Sequence, residues 1–320
     1  MRWYAAPLQG ITTWIYRRAH ARAFGGVDRY YMPFVSPVRE HIFTPRELRD
    51  LTPEHNAGVC AVPQIMTCRA EDFLWAAGEL AAMGYGEVNL NLGCPSGTVT
   101  AKGKGAGFLA RPAELDWFLD RVFAGAPAGL RISVKTRLGV RDEAEFGPLL
   151  DIFNDYPLSE LILHPRVRED FYKRPVRPEA FAAALPRCRM PVCYNGDLVT
   201  AADCAALAER YPALPAGMLG RGAVADPALF RKLRGGAPAE RGELERFLAD
   251  LFDAYSRAYA SPGPAVQRMK EHWYYLIRLF DGGQRLGGRM RRVSSPADYA
   301  ALEGEILRTL PLRTDALGPL

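Results

Sequence analysis

The chain of 320 residues has no run of about 18 apolar residues, the length that crosses a bilayer. Its first residues, Met1 to Pro7, are not a long apolar signal segment. A cytoplasmic protein with no membrane contact is therefore expected. The six cysteines, at 60, 68, 94, 188, 193 and 204, show no metal-type pair spacing, and no His-rich set accompanies them. Reduced thiols and no metal are expected. No Gly-x-Gly-x-x-Gly stands at a strand-to-helix turn, so the usual dinucleotide fingerprint is missing. Internal repeats and low-complexity tracts are absent beyond a strand-helix rhythm. The charge has little bias, a formal +5, yet from Arg231 onward 15 Lys or Arg stand against 11 Asp or Glu. Most of the excess lies in the last quarter, where a polyanion would be met.

What is present is ordinary globular material, 48% hydrophobic, enough for a sizeable core. Short apolar segments recur at Trp3 to Ala6, Arg29 to Pro33, Val59 to Ile65, Glu87 to Leu92, Arg131 to Thr136, Glu160 to His164, Pro191 to Asn195 and Gly217 to Gly220. Helical periodicity fills the gaps, for example Glu71 to Met83 and a stretch starting near Pro112. Strands alternating with helices pair in parallel, and eight such units predict an α/β fold, a (β/α)8 TIM barrel. A doubly wound sheet is the alternative. Past Gly235-Gly-Ala-Pro238 the pattern is purely helical, with Leu244, Phe247, Leu248 and Leu251, then Met269, Trp273 and Leu276. Residues 1–234 are thus expected to form the barrel, and 239–320 a separate, smaller helical domain. Within the latter, Gly282 to Arg292 interleaves glycines with Arg285, Arg289, Arg291 and Arg292 and holds no acid. A glycine-rich loop gripping phosphates is expected there.

In such barrels the active face lies at the carboxyl ends of the strands. Gln64, Asn91, Cys94, Lys135, Arg137, His164, Arg166 and Asn195 fall there. Cys94 sits on a corner between Gly93 and Pro95 and is followed by the glycine-rich Lys102 to Gly107. That placement suits an acid or a nucleophile. Lys135 alternates with apolar neighbours and points into the mouth, where an unpaired ammonium needs an anionic or carbonyl partner. A flavin ring offers both. Asn195-Gly-Asp197 and Leu219-Gly-Arg-Gly-Ala223 occupy the usual phosphate loops, which asks for a phosphate-bearing cofactor such as FMN.

The residues resemble the tRNA-dihydrouridine synthases, flavin-dependent barrel enzymes, over almost the whole chain. Asn91-Leu-Gly-Cys-Pro-Ser96 with Lys102-Gly-Lys-Gly-Ala106 is similar to that family's signature. Ala6-Pro-Leu-Gln-Gly10, Val134-Lys-Thr-Arg-Leu-Gly139, His164-Pro-Arg166, Asn195-Gly-Asp197 and Gly220-Arg-Gly222 follow in the family's order. Leu8, Thr13, Gly97 and Pro165 depart from its pattern. The resemblance implies FMN held by Ala6, Pro7, Leu8, Gln64, Lys135 and His164, with Arg166, Asn195, Gly196, Asp197, Gly220 and Arg221 towards ribityl chain and phosphate. It implies NADPH as reductant, tRNA as partner and a monomer. Cys94 would donate the proton to C5 of a uridine while hydride reaches C6. Asn91, Arg137, Tyr172 and the four C-terminal arginines, Arg285, Arg289, Arg291 and Arg292, would bind substrate. A flavin-dependent reductase of a free pyrimidine or other small unsaturated carbonyl compound is the alternative.

Overall fold

The computed structural model describes residues 1–317. Residues 318–320, the end of the expected second domain, lie outside the described residues. Among the latter, nine strands form one parallel sheet: β1 (Arg2–Ala5), β2 (Arg29–Tyr31), β3 (Ala61–Val62), β4 (Gln64–Ile65), β5 (Glu87–Leu92), β6 (Arg131–Gly139), β7 (Leu161–Val167), β8 (Val192–Tyr194) and β9 (Ala216–Leu219). Their order is β3-β2-β1-β9-β8-β7-β6-β5-β4. The two ends of that order are separated in the chain by Pro63 alone, so the sheet closes into a barrel of eight strand positions. Helices surround it, as the strand-helix rhythm requires.

The strand expected over Val59 to Ile65 is split in two. Proline has no N–H for the ladder. At Pro63 the chain changes partners, from β2 on one side to β5 on the other, while the Pro63 carbonyl accepts from Asn89 N at 2.9 Å.

Period-two alternation decides which side chains enter the barrel. Val88, Leu90 and Leu92 of β5, and Ile132 and Val134 of β6, join the large outer cluster with the surrounding helices. Their polar neighbours Glu87, Asn89 and Asn91, and Ser133, Lys135 and Arg137, therefore face the interior. The inner apolar layer is small: Tyr4, Ala6, Tyr31, Val62, Ile162, Cys193, Ala216 and Met218. At the floor, buried Glu160 accepts from Tyr4 Oη at 3.1 Å and Tyr31 Oη at 3.2 Å and faces Arg2 and Arg29. Glu87 pairs there with Arg29 and Arg131.

After residue 234 come the helices Arg241–Ala258, Pro262–Leu276, Gln284–Met290 and Pro296–Thr309. Leu248, Leu251, Met269, Trp273 and Ile306 make their core, but Ile15 and Tyr16 of the barrel helix Trp14–Ala23, Phe24 at its end, and Val224, Ala225 and Ala228 belong to the same cluster. The helical region shares its core with the barrel. Thr13 Oγ1 and Tyr255 Oη, 3.3 Å apart, add a polar link. No helix among the described residues is long and apolar enough to cross a membrane.

Because two tyrosine hydroxyls and two guanidiniums converge on Glu160, removing its carboxylate strands several polar groups at once. Glu160→Ala is expected to lower the unfolding free energy by about 3–5 kcal/mol in urea titrations. A loss under 1 kcal/mol would mean that the floor is held by packing alone.

Candidate active site

The register of the central strands sets Asn91 beside Lys135 and Arg137 beside His164. Inside the barrel the amide side chains link into one row. Asn89 Nδ2 donates to Ser133 Oγ at 3.0 Å, Gln64 Nε2 to Asn89 Oδ1 at 2.7 Å, and Asn91 Nδ2 to Gln64 Oε1 at 2.7 Å. The last oxygen of the row, Asn91 Oδ1, accepts both Gly93 N and Cys94 N at 3.0 Å. The Cys94 corner is thereby fixed by its backbone. The glycine-rich loop closes on it from outside. Ala106 N donates to Cys94 O at 3.0 Å, and a Cβ on Gly105, whose φ is +55°, would lie 2.9 Å from that oxygen. Lys104 Nζ anchors the loop on Ser36 Oγ at 2.9 Å. Cys94 itself is half-buried.

Lys135 has no hydrogen-bond or ion-pair partner among the described residues. Burial, then Arg137, lowers its pKa to about 8, with Cys193 and Cys94 acting weakly the other way. His164 is pushed far below its usual range by burial and by the surrounding cations Arg137, Lys135, Arg166 and Arg221. It is a neutral imidazole at physiological pH. Arg166 Nη1 lies 2.9 Å from its Nε2 and can only donate, so the ring proton sits on Nδ1. Arg166 also grips Asp197 at 3.0 and 2.5 Å, and Arg221 donates to the same carboxylate at 2.8 Å. Asp197 is the carboxylate that balances these arginines.

Arg137 is wholly buried. Its Nε donates to Gly93 O at 2.9 Å, its Nη1 to Val167 O and Phe171 O at 3.0 and 2.9 Å, and its Nη2 has no partner. It ties the Cys94 corner to the segment carrying Tyr172. The exposed Tyr172 ring lies between the Arg137 and Arg221 guanidiniums, 5.2 and 4.9 Å from its centroid, and 6.0 Å from the His164 ring. This is a mouth rich in donors and positive charge, with one thiol in a set position. It can hold an anion bearing carbonyl oxygens and deliver a proton.

Most residues singled out from the sequence meet in one cavity. Ala6, Pro7, Leu8, Lys135, His164, Tyr172, Asn195, Gly196, Asp197, Gly220 and Arg221 line it. Gln64, Arg166, Asn91, Cys94 and Arg137 do not: Gln64 is 0% exposed, with its amide engaged by Asn89 and Asn91, Arg166 stands behind His164 and Asp197, and Asn91, Cys94 and Arg137 meet one another at the corner after β5. Met218, Leu198 and Val199 line the cavity too and carried no polar signal in the sequence. Asn89 and Ser133 were legible as same-face neighbours of Asn91 and Lys135. No group of three or more His, Cys, Asp or Glu among the described residues is arranged to hold a metal.

The C-terminal arginines differ from the loop expected of them. Residues Gln284–Met290 are a helix with Leu286 and Met290 buried, and Gly287 lets it approach Ile277, where a Cβ would meet Cγ1 at 3.0 Å. Close packing on Ile277 explains Gly283 and Gly287, whereas Gly282 takes φ +67° with open space around it. Arg289 pairs with Glu305 at 2.9 Å, while Arg285, Arg291 and Arg292 are exposed. An acid missing from the stretch is supplied by the next helix.

Compared with known proteins, residues 4–292 match the family model described as dihydrouridine synthase. A tRNA-dihydrouridine(16) synthase of Ralstonia nicotianae is 29% identical over 304 residues, covering 92% of each chain. Another of the same name from Cupriavidus necator is 29% identical over 318 residues, 95% of this chain and 97% of the relative. A probable tRNA-dihydrouridine synthase 2 of Bacillus subtilis is 29% identical, covering 75% and 74%. Among solved structures, an old yellow enzyme homologue from Zymomonas mobilis superposes with a TM-score of 0.53 at 13% identity, covering 75% of this chain and 89% of that one. Morphinone reductase gives 0.54 at 13% identity, covering 75% and 87%. These two likenesses are of fold.

Removing the end of the amide row tests its hold on the thiol. Asn91→Ala leaves Gln64 Oε1 and two backbone N–H groups without partners, for an expected loss of about 2–5 kcal/mol. Cys94 should also react faster with a thiol reagent than in the wild type. An unchanged labelling rate would show that the corner stands without the asparagine.

Proposed function

This chain belongs to the dihydrouridine synthase family, and from that premise we propose that it reduces a uridine of tRNA to 5,6-dihydrouridine, with FMN bound and NADPH as reductant. The observation that carries this reading is the unpartnered Lys135 ammonium, half-buried near a thiol whose backbone is fixed by Asn91. The two relatives that align over more than nine-tenths of the chain are named for position 16, and we assign the same target here.

The residues present fit FMN. Lys135 offers its charge to the pyrimidine edge of the ring, His164 offers Nδ1–H, and Arg221 suits a phosphate, while Arg166, behind the wall, holds Asp197 and through it Arg221 in place. Ala6, Pro7, Leu8, Asn195, Gly196 and Gly220 complete the wall. Gln64 serves it indirectly, by orienting Asn91. In the present conformation the cavity measures about 60 Å³, against roughly 300–1,000 Å³ for ligand sites in general. Tyr172, exposed and set between two guanidiniums, is a lining side chain whose displacement would enlarge the cavity. What FMN supplies when bound is a hydride carrier at the mouth.

The protein's own part is positioning and proton transfer. Uracil C5 and C6 must take up one proton and one hydride. Cys94 is assigned the proton for C5, and Asn91 orients both the thiol and the base. Arg137 acts through the corner that it ties to Tyr172, which faces the substrate. A uridine folded into tRNA has to leave its stack to reach this depth. We assign residues 1–234 to the catalytic barrel and 239–320 to tRNA binding, with Arg285, Arg291 and Arg292 free for phosphates and Arg289 available once it leaves Glu305.

The test is to map dihydrouridine in tRNA incubated with the purified protein, FMN and NADPH. Product at position 16 is expected, and Cys94→Ala should slow its formation by about 10²- to 10⁴-fold while keeping flavin and NADPH oxidation. Free uridine reduced as fast as tRNA would overturn the assignment. Lys135 sets a pH dependence. Its ammonium is charged below about 8 and loses its proton above, so affinity for the carbonyl edge of the ring should fall as pH rises through that value. In fluorescence titrations from pH 6.5 to 9.5, Lys135→Met should bind FMN more weakly and show no such fall.

A further inference from the structure

Away from the mouth, a cavity of about 450 Å³ lies on the barrel's flank between helices Trp14–Ala23 and Arg241–Ala258. Trp14, Arg18 and Arg22, spaced four apart, line one side; Arg49, His55 and Arg257 complete the ring. Trp14 to Arg22 spans about 12 Å of helix. Since this helix follows β1, its first residue stands at the mouth and Arg22 lies down the flank. A neighbouring cavity shares Trp14 and Arg49 and reaches Gly10 in the loop after β1. The groove is therefore continuous with the rim of the active site.

Its charge is not compensated. Arg18, Arg49 and Arg257 have no carboxylate partner among the described residues. Arg22 approaches Asp250 at 3.9 Å, with both side chains mostly in water, where such a pair is weak. Asp50 is engaged by Trp14 N and Arg17. At the groove's upper end the Trp14 and His55 rings stack at 4.1 Å, within 13° of parallel. A solvated face would be convex and would pair its arginines with neighbours; here three guanidiniums share a concavity beside flat rings. A bilayer surface is flat and cannot enter. A nucleic-acid strand can, because its phosphates follow a groove and its bases stack on rings.

We propose that this flank groove binds an unpaired strand of the substrate RNA adjoining the target uridine, with phosphates on Arg18, Arg49 and Arg257 and a base at the Trp14–His55 stack. The proposal rests on the tRNA reading above and adds a contact surface on the side of the barrel.

The test is tRNA binding by the full chain with FMN, measured by fluorescence anisotropy between 50 and 200 mM salt. The triple variant Arg18→Ala, Arg49→Ala, Arg257→Ala should lose about 2 units of log-log salt slope, some 0.7 for each single-strand phosphate contact. Its deficit relative to wild type should accordingly shrink about 20-fold across that range. FMN content should stay the same. The corresponding triple Lys variant keeps the charge and should keep the slope; an equal fall there would trace the effect to a disturbed fold and overturn the assignment. If the wild type makes dihydrouridine and binds tRNA while the Ala variant matches it in affinity and slope, the groove is refuted alone. A wild type that neither binds tRNA nor makes dihydrouridine refutes the proposed function and the groove with it.

Discussion

The site depends on one constraint: polar groups enclosed by a barrel must find their partners inside it. Seen from the floor, Glu87 accepts from Ser133 Oγ at 3.1 Å, and the hydrogen bonds then pass from Ser133 through Asn89 and Gln64 to Asn91. Each amide has one arrangement that satisfies the next. The position of Cys94 is thus inherited from residues deep in the barrel, and the thiol is held without a bond of its own to any of them. An apolar interior would pack as well, yet it would leave the corner free to choose among several conformations.

The same requirement explains which parts of the molecule could be read from sequence. Alternation over Glu87 to Leu92 and Arg131 to Thr136 reveals the inward faces, and strand ends rich in polar residues reveal the mouth. Contacts between distant segments were hidden. Gln64 reads as a ligand contact because it is polar at a strand end; nothing local indicates that Asn89 and Asn91 consume its amide. Gly287 reads as part of a loop, since Ile277, the side chain that demands its smallness, lies on the preceding turn of chain. Glu305 sits sixteen residues beyond Arg289 and pairs with it only because two helices fold together.

Charge is handled in two ways. At the mouth, Arg166 and Arg221 would repel each other were Asp197 not between them, and its backbone adopts φ +44° to hold the carboxylate there. A non-glycine residue in that region is strained by a modest amount, offset here by three charge-assisted hydrogen bonds. An anion in the cavity would meet the Arg221 guanidinium already aligned. On the flank Asp250 reaches Arg22 alone, and Arg18, Arg49 and Arg257 stand ready for charge brought from outside.

The core shared by the barrel and the last helices bears on how the chain is made. Ile15, Tyr16 and Phe24 leave a ribosome well before their partners Leu244, Phe247, Leu251 and Trp273, which are synthesised some 230 residues later. At about 5–20 residues per second the first helix waits on the order of ten seconds or more with its outer face uncovered. For this fold the vulnerable interval comes during synthesis, when a holdase that covers the nascent helix Trp14–Ala23 would shield the apolar face that its late partners later bury.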